Sequence, residues 1–353
     1  MGGSDGWELR VPHPSLATGG NGSRSYEREP KALQAPSRLG ENPRLPQSSA
    51  ASLPAGPTGA DQPLSLVEHT TTVAGHTMHS LQAGHGSPLI LLHGLLGAAV
   101  CWRPAMASLA LCARVYAVDA IGMGASARVA GLDASLEASA ERLRSFMDTE
   151  GIERADLCAS SHGGAVAMFF AATHPERVRS LILQAPANPF CSRSRPQIRL
   201  FSSRLGQWLG RRIPHAPRRL QAIALERMYG DPARVEDGML DNYLRSLRIP
   251  GTVDYVLSVL ASWTRDMSQL KHLLRRLRGI PCLLLWGTHD RAVSLASGET
   301  LQRILGAELD LLPGLGHLPY EEQPHEFADR VSRFLASLGP LPPEPSTRTV
   351  CTG

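Results

Sequence analysis

A serine hydroxyl becomes a nucleophile only when a neighbouring base takes its proton, and the base needs a third group to hold its tautomer. The run 156–173, DLCASSHGGAVAMFFAAT, carries a serine in the right surroundings. It opens apolar, pinches through Ser160-Ser161-His162-Gly163-Gly164, and continues Ala-rich with helical spacing. Strand, tight turn and helix are the setting of a nucleophile elbow, in which strain exposes the hydroxyl above a sheet. Close backbone approach demands small residues two before and two after the nucleophile. Centring on Ser161 puts Ala159 and Gly163 there; centring on Ser160 would put Cys158 and the bulky His162 there. Ser161 is therefore the candidate, with Ala159 where the usual pattern has Gly. A serine in such a turn is more often only a helix cap, so its partners must decide.

Both partners are present. Trp286-Gly287-Thr288-His289-Asp290 follows an apolar run and offers Asp290, and Gly314-Leu315-Gly316-His317 offers His317 in a Gly-rich turn. The chain order Ser161, Asp290, His317 matches a sheet that presents nucleophile, acid and base at successive strand ends. A tetrahedral intermediate needs two backbone donors. The N–H of His162, next after the nucleophile, is one; the N–H of Leu95, in the turn His93-Gly94-Leu95-Leu96-Gly97, is the other. His93 is expected to shape that turn, and His162 to line the pocket without a side-chain role. Asn188 is neutral and cannot stabilise an imidazolium as a carboxylate does, and His289 reads as a surface loop residue.

The elements that must position these groups alternate. SLVEHTTTV and HTMHSLQAG flank Ala74-Gly75 as a hairpin, and short apolar runs near 88–94, 114–122, 178–186, 281–287 and 308–314 read as buried strands. Helical spacing covers about 102–111, 136–150, 295–305 and 324–338. The pattern predicts an α/β fold with a largely parallel sheet and helices on both faces. It breaks once, between about Ala187 and Met267, where several helices without a strand form an insertion able to cover a site beyond the strand ends. The expected organisation is a disordered Pro/Gly/Ser-rich segment 1–62, core 63–186, helical cap 187–267, core 268–339 and a disordered tail 340–353.

LILLHGLLG, VDAIGMGAS, CASSHGGAVAM, HPERVRSLIL, LLWGTHDRAV and PGLGHLPYEEQP, in that order, resemble the successive blocks of the α/β-hydrolase superfamily from about Leu64 to Leu338. The resemblance implies an eight-stranded, mostly parallel sheet, a Ser-His-acid triad and a helical cap after the sixth strand. Asp119 is similar to the family's structural Asp after the fourth strand. Haloalkane dehalogenases and epoxide hydrolases share the fold but carry Asp where this chain has Ser161, and prolyl aminopeptidases usually carry Trp where it has His162.

The expected activity is that of a serine hydrolase acting on an ester or related small acyl substrate. The alternatives are a carbon–carbon bond hydrolase, an acyltransferase, or a ligand-binding protein on the same scaffold. No cofactor or metal is expected, because the six cysteines form no C-x-x-C pair or metal-ligand spacing. With 353 residues, 42% hydrophobic and 19% charged, and a net charge of +4, the chain carries no nucleic-acid signature. It has no apolar run of about 20 residues to cross a bilayer and no readable secretory signal, so a cytoplasmic place is expected. The oligomeric state is left open. In the cap's first half Arg193, Arg195, Arg199, Arg204, Arg211, Arg212, Arg218, Arg219 and Arg227 face one acid, Glu226. That is either a solvated outer face or a positive rim for anionic substrates or a membrane surface.

Overall fold

The computed structural model describes residues 66–191 and 195–339. The expected disordered segments 1–62 and 340–353, and Arg193, lie outside them. Eight strands form the core: β1 (Val67–Val73), β2 (His76–Ala83), β3 (Pro88–Leu92), β4 (Arg114–Val118), β5 (Ala155–Ser160), β6 (Val178–Gln184), β7 (Cys282–Gly287) and β8 (Glu308–Leu312). They make one sheet in the order β1-β2-β4-β3-β5-β6-β7-β8. β1 and β2 form the expected hairpin, with Ala74 and Gly75 both at positive φ as a tight two-residue turn demands. β2 lies antiparallel to β4, and every later neighbour is parallel.

The helices are α1 (Arg103–Leu109), α2 (Leu136–Thr149), α3 (Ser161–Thr173), α4 (Arg195–Ser202), α5 (Arg204–Gly210), α6 (Arg218–Glu226), α7 (Met239–Leu247), α8 (Thr252–Leu273), α9 (Leu295–Leu305), α10 (Pro319–Glu322) and α11 (Pro324–Ser337). Strand residues alternate between the sheet's two faces. Ile90, Leu157, Leu181 and Leu284 pack with α2, α3 and α9, while Leu89, Cys158, Ile182 and Leu283 pack with α1 and α11. Burial on both faces is why these strands read as continuous apolar runs rather than alternating ones.

Helices α4 to α8 lie between β6 and β7 with no strand among the described residues. α8 runs through the expected boundary at 267, and its last turns, with Met267 and Leu270, pack in the same core cluster as α3. Chain order reverses about β3, which has β4 on one side and β5 on the other. The crevice beyond those strand ends is where open α/β sheets bind ligands, and Ser161 begins there.

Candidate active site

Ser161 is the first residue of α3 and holds a φ of +50°, in a region that costs a non-glycine residue about 1–2 kcal/mol. The tight packing behind it makes that conformation hold. A Cβ at Gly163 would lie 2.5 Å from the His93 carbonyl and 2.6 Å from that of Leu92, and one at Gly164 would lie 2.6 Å from Pro186 Cβ. The constraint at Gly163 thus comes from the end of β3 and not from the elbow's own strand. Ala159 is fully buried in β5. Ser160 is fully buried too, and its hydroxyl is taken up by Gln184, donating to Oε1 at 2.5 Å.

His317 and Asp290 meet in the fold as their spacing predicts. His317 Nδ1 lies 2.7 Å from Asp290 Oδ2, and both side chains are buried. Asp290 Oδ1 accepts from the N–H groups of Ala292 (2.7 Å) and Val293 (3.0 Å), which pins the carboxylate in its loop. The His317 backbone N–H donates to the Met228 carbonyl at 2.6 Å, tying the base to the helical insertion. With Nδ1–H turned to the carboxylate, Nε2 is the free acceptor. Ser161 and His317 line one cavity, without a formed hydrogen bond between them among the described residues. Such contacts often tighten only when substrate binds.

The first N–H groups of α3, His162 among them, have no intrahelical acceptor, and the N-cap residue Ser160 makes no side-chain cap to them. Leu95 lies in the turn after β3, which presses on the nucleophile: a Cβ at Gly94 would stand 3.1 Å from Ser161 Cβ. His93 shapes that turn, as its type suggests. Its Nε2 accepts from the Ala120 N–H at 3.1 Å, so Nδ1 carries the proton and donates to the Gly94 carbonyl at 2.8 Å. The His162 ring is buried beside Trp263, with 6.2 Å between ring centroids. Burial first, and then the nearby His93, push its pKa down to about 4.

Asp119 is buried at the end of β4, where it binds His79 Nδ1 (2.8 Å) and the N–H groups of Ala99 (2.6 Å) and Ala125 (2.9 Å). It ties strand β2 to the turns at Ala99 and Ala125, and a Cβ at Gly124 would overlap its carboxylate. Asn188 is buried against Pro186 and Ser297, and His289 is exposed. Among the described residues no cluster of His, Cys, Asp and Glu could hold a metal ion. Cys158 and Cys282 are buried free thiols; burial pushes both up, Cys282 to about 12.

The cavity that Ser161 and His317 share measures about 330 Å³. Leu95, Leu96, Ile213, Leu225, Met228, Leu240, Leu244 and Leu247 form its apolar wall, and Tyr243 and Tyr320 close it. Sequence reasoning passed over what lies behind Tyr243. Glu321 of α10 accepts from the hydroxyls of Tyr229 (2.5 Å) and Tyr243 (2.8 Å), both in the helical insertion. Burial pushes this carboxyl up to about 7. The only sequence signal was a pair of glutamates inside PYEEQP, a block otherwise apolar enough to be buried.

The fold and these sequence blocks place the chain in a family. Residues 89–330 match the alpha/beta hydrolase family, and the chain belongs to it. Among curated relatives it is similar to the dihydrolipoyllysine-residue acetyltransferase component of the acetoin cleaving system of Pseudomonas putida. The two are 30% identical over 78% of this chain and 71% of that protein. It is also similar to 2-hydroxymuconate semialdehyde hydrolase of Pseudomonas sp. (strain CF600), at 29% identity over 74% of this chain and 92% of that one. A third relative is the pimeloyl-[acyl-carrier protein] methyl ester esterase of Neisseria meningitidis serogroup A, 30% identical over 67% of this chain and 72% of that one.

Proposed function

We propose that this chain is a serine hydrolase that cleaves a neutral ester with an apolar acyl or alkyl part. One observation carries the reading: a strained Ser161 opens onto the same apolar cavity as a His317 already hydrogen-bonded to Asp290. Ser161 Oγ attacks the carbonyl carbon while His317 Nε2 takes its proton, and Asp290 steadies the imidazolium. The carbonyl oxygen gains charge against the N–H groups of Leu95 and His162. On collapse the C–O bond breaks, and the leaving alkoxide takes the proton from His317. Water, deprotonated by His317, then attacks the acyl-enzyme, and the acid leaves as Ser161 regains its proton.

The three relatives' names span acyl transfer, carbon–carbon cleavage and ester hydrolysis, all compatible with one Ser-His-acid site. The cavity favours the ester reading. Its lining holds no Lys, Arg, Asp or Glu, so a carboxylated substrate would enter without a counter-charge. A fluorophosphonate probe and a panel of p-nitrophenyl esters of increasing chain length test the proposal. Stoichiometric labelling of Ser161, with kcat/KM rising with acyl length until the cavity is filled, is expected. Folded protein that resists the probe and turns over no ester would leave a ligand-binding scaffold instead.

A further inference from the structure

In α5 the usual amphipathic order is inverted. Gly206 and Gly210, four residues apart, form the inward face, where a Cβ at Gly206 would overlap the backbone of Leu200 and one at Gly210 would press on Leu257. Leu205, Trp208 and Leu209, at i, i+3 and i+4, form the outward face and are 63%, 52% and 40% exposed. A soluble surface helix does the reverse, turning its large apolar residues to the core. α6 repeats the arrangement more mildly: Gln221 and Leu225 are buried, while Leu220 and Ile223 stand out.

Arginines fill the intervals. Arg199, Arg204, Arg211, Arg212, Arg218 and Arg219 are all exposed. Arg211 and Arg218 pair with Asp254 and Asp241, whereas Arg199, Arg204, Arg212 and Arg219 meet no carboxylate among the described residues. The Arg212 guanidinium lies 4.2 Å over the exposed Trp208 ring. A solvated face would carry such charges without the apolar residues between them. Large apolar side chains ringed by unpaired cations are the pattern of a helix that lies in an anionic lipid interface.

We propose that α5, α6 and the turn between them seat on an anionic phospholipid surface, with Leu205, Trp208, Leu209, Leu220 and Ile223 in the headgroup–acyl boundary and the arginines on phosphates. The surface is continuous with the site. Ile213, in that turn, is 45% exposed and also lines the Ser161–His317 cavity, as does the 37% exposed Leu96. An apolar chain could then pass from the lipid to the serine without crossing water; this last link rests on the hydrolase reading, whereas the docking does not.

Flotation of the full chain with vesicles tests the docking. Vesicles of equal parts phosphatidylcholine and phosphatidylserine should retain the protein at least about tenfold better than phosphatidylcholine alone, and high salt should release it. The double variant Leu205→Ser/Trp208→Ser and the triple variant R204Q/R212Q/R219Q should each lose about tenfold or more of that binding. Ser161→Ala should bind as the parent does, which keeps docking separate from chemistry. Melting temperatures of all variants within a few degrees of the parent, on the order of a surface change, show that folding is intact. Failure of the parent to float, or equal flotation with and without phosphatidylserine, overturns the proposal. So does lipid-free self-association abolished by the Leu205→Ser/Trp208→Ser change, which would make a second copy the occupant of this face.

Discussion

Two adjacent serines meet two different fates at the end of β5. Ser160 is buried and bonded to Gln184, whereas Ser161 opens onto the cavity at positive φ. Ser161→Ala is expected to remove ester turnover by about 10⁶-fold in kcat. Ser160→Ala leaves kcat within about tenfold and costs about 1–3 kcal/mol of stability, because Gln184 loses a buried partner. Parallel kinetics and urea unfolding of the two variants check this, and the reverse pattern would move the elbow one residue. The choice was legible in the sequence because it rests on size: only Ser161 has small residues at both flanking positions. Asp290 and His317 were legible because each ends an apolar run in a Gly-containing turn. Glu321 was not. Nothing local marks it as buried, since its partners Tyr229 and Tyr243 lie 92 and 78 residues away in the chain.

At the scale of elements, the site is a junction of three backbones: the end of β3, the elbow and the first turn of α3. Gly163 sits where they touch, and its missing Cβ leaves room for the Leu92 and His93 carbonyls. Gly163→Ala should force the turn 93–97 away from the elbow and so separate the N–H groups of Leu95 and His162 that are proposed to hold the oxyanion. The expected result is a fall in kcat of about 10²-fold, comparable to the loss of one oxyanion donor. KM should change little, and overpacking should cost about 1–3 kcal/mol of stability. A stable variant with unchanged kcat would show that the turn's position does not matter to the chemistry. The strands of this junction were readable from their continuous apolar runs. The packing of the helical insertion was not: α5 turns its glycines inward and its leucines outward, so periodicity alone assigns it the wrong face.

Over the whole molecule, one of the ties between the helical insertion and the α/β core is a buried carboxyl that titrates. Glu321 belongs to the core helix α10, and the hydroxyls it accepts come from Tyr229 and Tyr243 of the insertion. Burial holds its pKa near about 7, against a usual 4.5, despite the hydrogen bonds that favour the anion. Between those values the unfolded chain has released the proton and the folded one has kept it. Glu321 therefore lowers stability as pH rises from about 4.5 to about 7, by about 3 kcal/mol in all. His162 acts in the opposite sense. Its ring is held neutral down to about 4 against a usual 6.5, so its contribution grows as pH rises from about 4 to 6.5. Across the shared window the two slopes oppose each other. Glu321→Gln keeps a carbonyl to accept from a tyrosine hydroxyl but removes the titration. Its unfolding free energy should consequently climb with pH from about 4.5 to 6.5 more steeply than the parent's, by about 2–3 kcal/mol over that range. Urea unfolding of the two proteins at matched pH values reads the difference directly, and all other titrating groups, the His79–Asp119 pair and Glu322 included, are common to both. Parallel curves would mean that Glu321 is already ionised in the folded protein and that its two tyrosine hydroxyls offset the full cost of burying the charge.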